Sequence, residues 1–279
     1  MAQYSGGVSL FNKVLLGLGF FFLYAPMLVL IVYSFNSSSR VNIWAGFSAK
    51  WYGELFRDEA MMSALGVSLK LAFASASTAV VLGTLAAIVL ARVGRFPGRM
   101  LFGGMVTAPL VMPEVITGLS LLLLFVGLAN AVGWPAERGF LTIWIAHVTF
   151  CMAFVTVVVS SRLGEMDQSL EEAAMDLGAN RFKTFCLITL PIIAPALVSG
   201  WLLAFTLSLD DLVIASFVSG PSSTTLPMIV FSSVRMGLSP KINALATLMI
   251  AVVFIGALIS YWLLLRDEKQ RLAASQSSS

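Results

Sequence analysis

Charge is what this sequence has least of. Lys, Arg, Asp and Glu together make up 11% of its 279 residues, where a soluble domain carries about 25%. With 58% of the residues hydrophobic, too few polar side chains remain to face water, which excludes a soluble globular protein. Histidine occurs once, at His147, and cysteine twice, at Cys151 and Cys186. No His, Cys and acid cluster has metal-ligand spacing, and a structural disulfide is not expected. His147 is read as a hydrogen-bonded packing residue. No GxxxxGK[ST] phosphate loop is present, so ATP is not bound by that route. No nucleophile stands beside a recognisable base, which argues against a membrane-embedded enzyme. The net charge of +3 is small and scattered over loops, so nucleic acid is not an expected partner. No internal repeat is evident.

What is present is a series of long apolar runs, and crossing a bilayer takes about 20 such residues. The expected fold is therefore all-α, a polytopic membrane protein with six transmembrane helices at about 14–35, 65–91, 101–131, 141–160, 192–218 and 242–265. Residues 1–13 form an N-terminal segment and 266–279 a tail, Ser-rich and expected to be disordered beyond Arg271. The first run follows Lys13 as a signal peptide would, but it reaches Phe35 without an A-x-A-type cleavage site and is read as a retained helix. Small residues from Ala72 to Gly83 in the second run allow close helix packing, which in lipid replaces the hydrophobic effect as the driving force. Pro109 and Pro113 interrupt the third. A short helix is expected at 228–235. Trp44, Trp51, Tyr52 and Trp134 fall in outer loops and read as headgroup anchors.

Six spans put both termini on one side. That side holds ten of the positive residues (Lys13, Arg92, Arg95, Arg99, Arg162, Arg181, Lys183, Arg266, Lys269, Arg271) and the other side seven. The positive-inside rule places the richer side, and the termini, in the cytoplasm.

Acids inside spans are expensive, roughly 2.5–3.5 kcal/mol each even on a lenient scale, and three stand out: Glu114, Asp210 and Asp211. Carboxylates near an outer mouth can replace the water lost by an ammonium group. The plainer alternatives are a helix-end cap for Asp210 and Asp211 and a salt bridge for Glu114. Adjacent helical residues point about 100° apart, so one of the two aspartates faces a path. Asp210 is named first, although the sequence does not set the helix rotation.

The most polar long segment is 169–191, SLEEAAMDLGANRFKTFCLITLP. Ser169 with Glu172 has the capping-box spacing, Gly178 supplies a helix stop, and Asn180 can cap a second short helix running to Pro191. The spacing Glu172-Ala173-Ala174, three residues, Gly178, nine residues, Ile188, one residue, Leu190-Pro191 resembles the EAA loop of ATP-binding cassette (ABC) importer permeases. The chain from about Leu10 to Arg271 resembles the polyamine branch of that family, close to its putrescine importer subunits. The resemblance implies a type I permease fold and a subunit in the bacterial inner membrane. It implies that Glu171, Glu172, Ala173, Ala174, Gly178, Leu190 and Pro191 form the element that docks on an ATPase. It further implies a homologous second permease subunit, an ATPase dimer that binds MgATP, a periplasmic polyamine-binding protein, and no cofactor in this chain itself. It implies an ATP-driven importer of polyamines with putrescine as the expected cargo, and spermidine or another small organic cation as the alternative. From a different class, an ATP-independent cation channel or carrier is the rival.

Overall fold

The computed structural model describes residues 9–40, 43–237 and 239–277. Among the described residues it is all-helical apart from one isolated bridge between Asn36 and Phe47. In order, the helices are α1 (Leu10–Ser34), α2 (Lys50–Phe56), α3 (Glu59–Arg92), α4 (Arg99–Val111), α5 (Glu114–Val132) and α6 (Phe140–Glu165). They continue with α7 (Ser169–Asp176), α8 (Arg181–Thr184), a π-turn (Phe185–Thr189), α9 (Leu190–Asp210), α10 (Val213–Val218), α11 (Leu226–Met236) and α12 (Pro240–Ser277). Among the described residues, five helical segments are long and apolar enough to cross a membrane: α1, α3, α5, α6 and the run Arg181–Asp210. The sixth expected span lies on α12, whose described apolar stretch is Pro240–Gly256. The side chains at 257, 259–261 and 263–279 lie outside the described residues, as do the first eight residues of the N-terminal segment.

The chain divides into two compact units, one of Met1–Met62 with Ser232–Ser279, the other of Ser63–Phe231. In the first, α12 packs on α1 and α2. Its loop is organised by Asn36, whose amide donates to the carbonyl of Ile43 and accepts from the backbone N–H groups of Ser38 and Ala45. Trp51 donates its indole N–H to the carbonyl of Asn36 at 2.6 Å and is buried. That corrects its reading as a headgroup anchor: the indole is part of the loop's own core. Trp44 and Trp134 remain exposed.

In the second unit α6 is the axis. Ile143, His147, Cys151, Val155, Val159 and Leu163 recur every four residues and are all buried, because this face meets α9 and α4. Packing, not water exclusion, must hold helices together in lipid. Val155 shows how: it sits against Gly83 of α3, where a Cβ would fall 2.8 Å from its Cγ1, and against Gly200 of α9, where the distance would be 3.5 Å. The small residues expected to line α3 do so: Ala72, Ser75, Ala76 and Ala79 are buried.

Three expectations change. The third span is two helices, because Met112 turns extended (ψ 134°) before Pro113 and α5 restarts at Glu114, while Pro109 is absorbed within α4. The fifth is broken at Asp211, also extended (ψ 123°), so 192–218 is α9 plus the short α10. The tail is helical to Ser277 instead of disordered, as good helix formers such as Glu268, Lys269, Arg271 and Leu272 favour.

Candidate functional site

Two polar assemblies stand out in the second unit, one on each side of α9. The first is the 167–191 loop. Helix α7 begins at Ser169 as expected, but its cap differs. Asp167 Oδ1 accepts the Ser169 N–H at 2.9 Å, and no capping bond runs from Ser169 to Glu172. That N–H holds the exposed Asp167 carboxyl below its ordinary range. The helix ends through Gly178 at φ +89°. The Gly178 N–H reaches the carbonyl of Met175 and the Ala179 N–H that of Ala174, the paired closure that a left-handed glycine permits. Asn180 Oδ1 then accepts the Lys183 N–H at 2.8 Å, the expected second cap.

The second helix does not stop at Pro191. Instead, the Leu190 N–H bonds to the carbonyl of Phe185, five residues back, and this wide turn runs straight into α9. A π-turn ahead of Pro191 makes room for a ring that has no N–H to give. Glu172 and Ala173 are exposed, Ala174 and Leu190 half-buried, and Pro191 exposed. Glu171 turns inward: its Oε2 lies 3.1 Å from Arg92 Nε and its Oε1 accepts the Thr189 hydroxyl at 2.6 Å. Leu177, Phe182 and Leu187 stand out from the loop at 90%, 74% and 70% exposure.

The second assembly joins the two helix breaks. Helix α10 packs along α5, with Gly118 so close to Phe217 that a Cβ would fall 2.7 Å from its ring. This brings Glu114, in the first turn of α5, within electrostatic reach of Asp210 and Asp211. The two aspartates then part ways. Asp211 is buried; its carboxylate accepts the N–H groups of Ile214 and Ala215 and lies 3.1 Å from His147 Nε2. His147 Nδ1 is 2.7 Å from Ser208 Oγ. Asp210 and Glu114 are both exposed. The His147 partners lie 61 and 64 residues away; an acid pair at a span's end with one histidine in another span is the only hint of them in the sequence. Nearby, Thr142 Oγ1 donates to the carbonyl of Val218 and Arg138 Nη1 to that of Phe217, fixing the far end of α10 to α6 and the loop before it. Among the described residues no group of three His, Cys or acids could hold a metal ion.

An exposed, apolar-studded loop and a pair of open acids are features of a helical membrane protein that works with other subunits. The sequence model described as "Binding-protein-dependent transport system inner membrane component" matches residues 79–266. The chain belongs to that family. Over 259 residues it is 68% identical to the putrescine transport system permease protein PotI of Escherichia coli (strain K12), covering 93% of this chain and 92% of that one. It is 41% identical over 247 residues to the spermidine/putrescine transport system permease protein PotC of the same strain, covering 88% and 90%. Among solved structures it resembles a bacterial ABC transporter involved in the import of alginate, with a TM-score of 0.71 and 18% identity over 94% of this chain and 99% of that one. At that identity the likeness shows the fold alone. The inward-facing MetNI methionine transporter is similar at a TM-score of 0.57 and 18% identity over 73% of this chain and 94% of that one. This permease is thus a multi-pass inner-membrane subunit of an ABC transporter, neither catalytic nor a carrier of its own cofactor. It works with an ATPase and a binding protein.

Proposed function

We propose that this permease forms part of the path of an ATP-driven putrescine importer, with Glu114 and Asp210 facing the cation and the 169–191 loop docking on the ATPase. The observation that carries the reading is the pair of exposed carboxylates at two packed helix breaks. Putrescine is a chain of methylenes with an ammonium at each end; a carboxylate at the path offsets the desolvation of such a group. Similarity to the putrescine permease over nearly the whole chain supports the substrate. The second path wall comes from a homologous permease subunit, and the cation is handed over by a periplasmic polyamine-binding protein. Glu171, Glu172, Ala173, Ala174, Gly178, Leu190 and Pro191 belong to the docking element, on the cytoplasmic side together with both termini. ATP binding draws the docked loops together, and the helices rock between inward-open and outward-open states as rigid bodies. Asp211, enclosed by its own hydrogen bonds, holds the path in shape without touching the cation.

The test is putrescine uptake per purified complex in proteoliposomes. Glu114→Gln and Asp210→Asn keep shape and hydrogen-bonding capacity but lose charge, and each should lower uptake about tenfold with assembly intact. Full uptake in both single variants and the double variant removes these acids from the path. Spermidine is the second reading, favoured by the 41% identity to the spermidine/putrescine permease. Whichever ligand-loaded binding protein stimulates the ATPase decides between them.

A further inference from the structure

We propose that Arg92, Glu171 and Thr189 form the joint through which movement of the 169–191 loop reaches the membrane helices, with Glu171 as a positioning residue and not a docking contact. The inference rests on the reading of that loop as the ATPase-docking element.

Glu171 and Glu172 are neighbours on α7 and point about 100° apart. Glu172 faces out. Glu171 faces in, its side chain 17% exposed, against an Arg92 side chain that is 16% exposed. One carboxylate thereby holds three elements: α7 itself, the last residue of α3, and the π-turn that becomes α9. Each partner suits its place. An acid in the first turn of α7 and a cation in the last turn of α3 both complement the helix dipoles. Thr189 is 3% exposed, and the extra residue of the π-turn shifts the register that turns it inward. A cleft of about 370 Å³ beside the three residues leaves them room to move.

The covalent route from α7 to α9 is a poor lever. It passes through Gly178, the most permissive kind of hinge, and through a π-turn, so motion entering at α7 could be absorbed by bending. The Glu171 contacts bypass both soft points and link α7 directly to the base of α9 and to α3. The outer surface of the loop, with Leu177, Phe182 and Leu187, is left free for docking. Neutralising Glu171 also leaves a largely buried guanidinium without its counter-charge, since among the described residues neither Arg92 Nε nor Nη2 has a hydrogen-bond partner and the charge of Glu171 is what compensates it.

The experiment measures putrescine taken up per ATP hydrolysed in the complete complex, reconstituted with its ATPase and loaded binding protein. Glu171→Gln should assemble normally and lower that ratio about tenfold, because ATP is spent while the helices are no longer driven. Thr189→Val, which removes one hydroxyl, should lower it about threefold, and carries the test by the same criterion if Glu171→Gln does not accumulate. Exchanging the charges, Glu171→Arg with Arg92→Glu, should recover at least half of the loss, a result that bulk alone does not produce. An unchanged ratio in Glu171→Gln, or an exchange no better than the single variants, overturns the joint. Leu177→Asp on the outer surface separates this from the docking reading. If Leu177→Asp abolishes ATPase association while Glu171→Gln leaves the ratio unchanged, only the joint fails. If Leu177→Asp leaves association and uptake intact, the loop is not the docking element and both fail.

Discussion

The two ends of α9 are tied down by clusters of opposite character. At its start, Glu171 is held by a largely buried arginine and one hydroxyl beside an open cleft. At its finish, Asp211 is buried and its two oxygens serve two backbone N–H groups and an imidazole, which is itself bound on its other nitrogen. A saturated buried network has no alternative partners to exchange for, so it fixes one geometry. A largely buried ion pair with one hydroxyl beside a cleft is anchored by fewer bonds, so it can move as a closed unit with the helices that it links. The same helix therefore has a fixed end beside the open acids and an adjustable end beside the docking loop.

That contrast breaks most readily at the fixed end. Asp211→Ala strands two buried N–H groups and His147, and should cost about 3 kcal/mol or more; the readout is the thermal midpoint of the purified complex. Asp211→Asn, which keeps an acceptor for the α10 start, should cost less than half as much. Equal losses for the two variants would mean that the charge, not the hydrogen bonding, holds the break. At the adjustable end a smaller penalty is expected. Gly178→Asp forces a left-handed position on a side-chain residue, about 1–2 kcal/mol, without unfolding the spans. Its larger effect is on partnership: co-purification of the ATPase should fall while the permease itself still accumulates.

The smallest effect lies in the other unit and calibrates the comparison. Asp58 is paired with Lys241 at 2.9 Å, and the lysine hydrogen bond, aided by the Met61 N–H, holds its carboxyl below the ordinary value of 3.8. A carboxyl lowered in the folded state contributes stability that is complete above its unfolded pKa. That contribution is lost as the pH falls below 3.8 towards the folded value. Lys241→Met should lower stability at neutral pH by the small share of a partly exposed pair, under about 1 kcal/mol, and so flatten the profile through that acid window, with no change below it. A loss at neutral pH comparable to that of Asp211→Ala would erase the distinction between exposed and enclosed pairs.

How far each feature could be read from the sequence follows from how local its cause is. The five membrane-length helical segments among the described residues, the Gly178 stop and the Asn180 cap depend on composition or on neighbours a few residues away, and these were legible. The break at Pro113 was half legible: proline announces an interruption, but only the extended Met112 shows that α5 starts afresh. The break at Asp211 was not, because no proline or glycine marks it and its fixing partner, His147, lies on another helix. Nor was the inward turn of Glu171, set by a π-turn whose hydrogen bonds leave no periodicity to detect. The three acids were found by their cost in a membrane. Only the Ile214 and Ala215 N–H groups and the His147 imidazole separate the enclosed Asp211 from the open Asp210 and Glu114.

Val155 presses into Gly83 and only touches Gly200, so positions on two helices share one volume while the third helix borders it. A methyl group added at 83 has to be taken from the valine, whereas one added at 200 meets it at an ordinary contact distance. Across diverging permeases 83 and 155 should then drift as a pair, a larger residue at 83 accompanied by alanine at 155, while 200 changes independently. Substituted alone, position 83 behaves as though it were invariant.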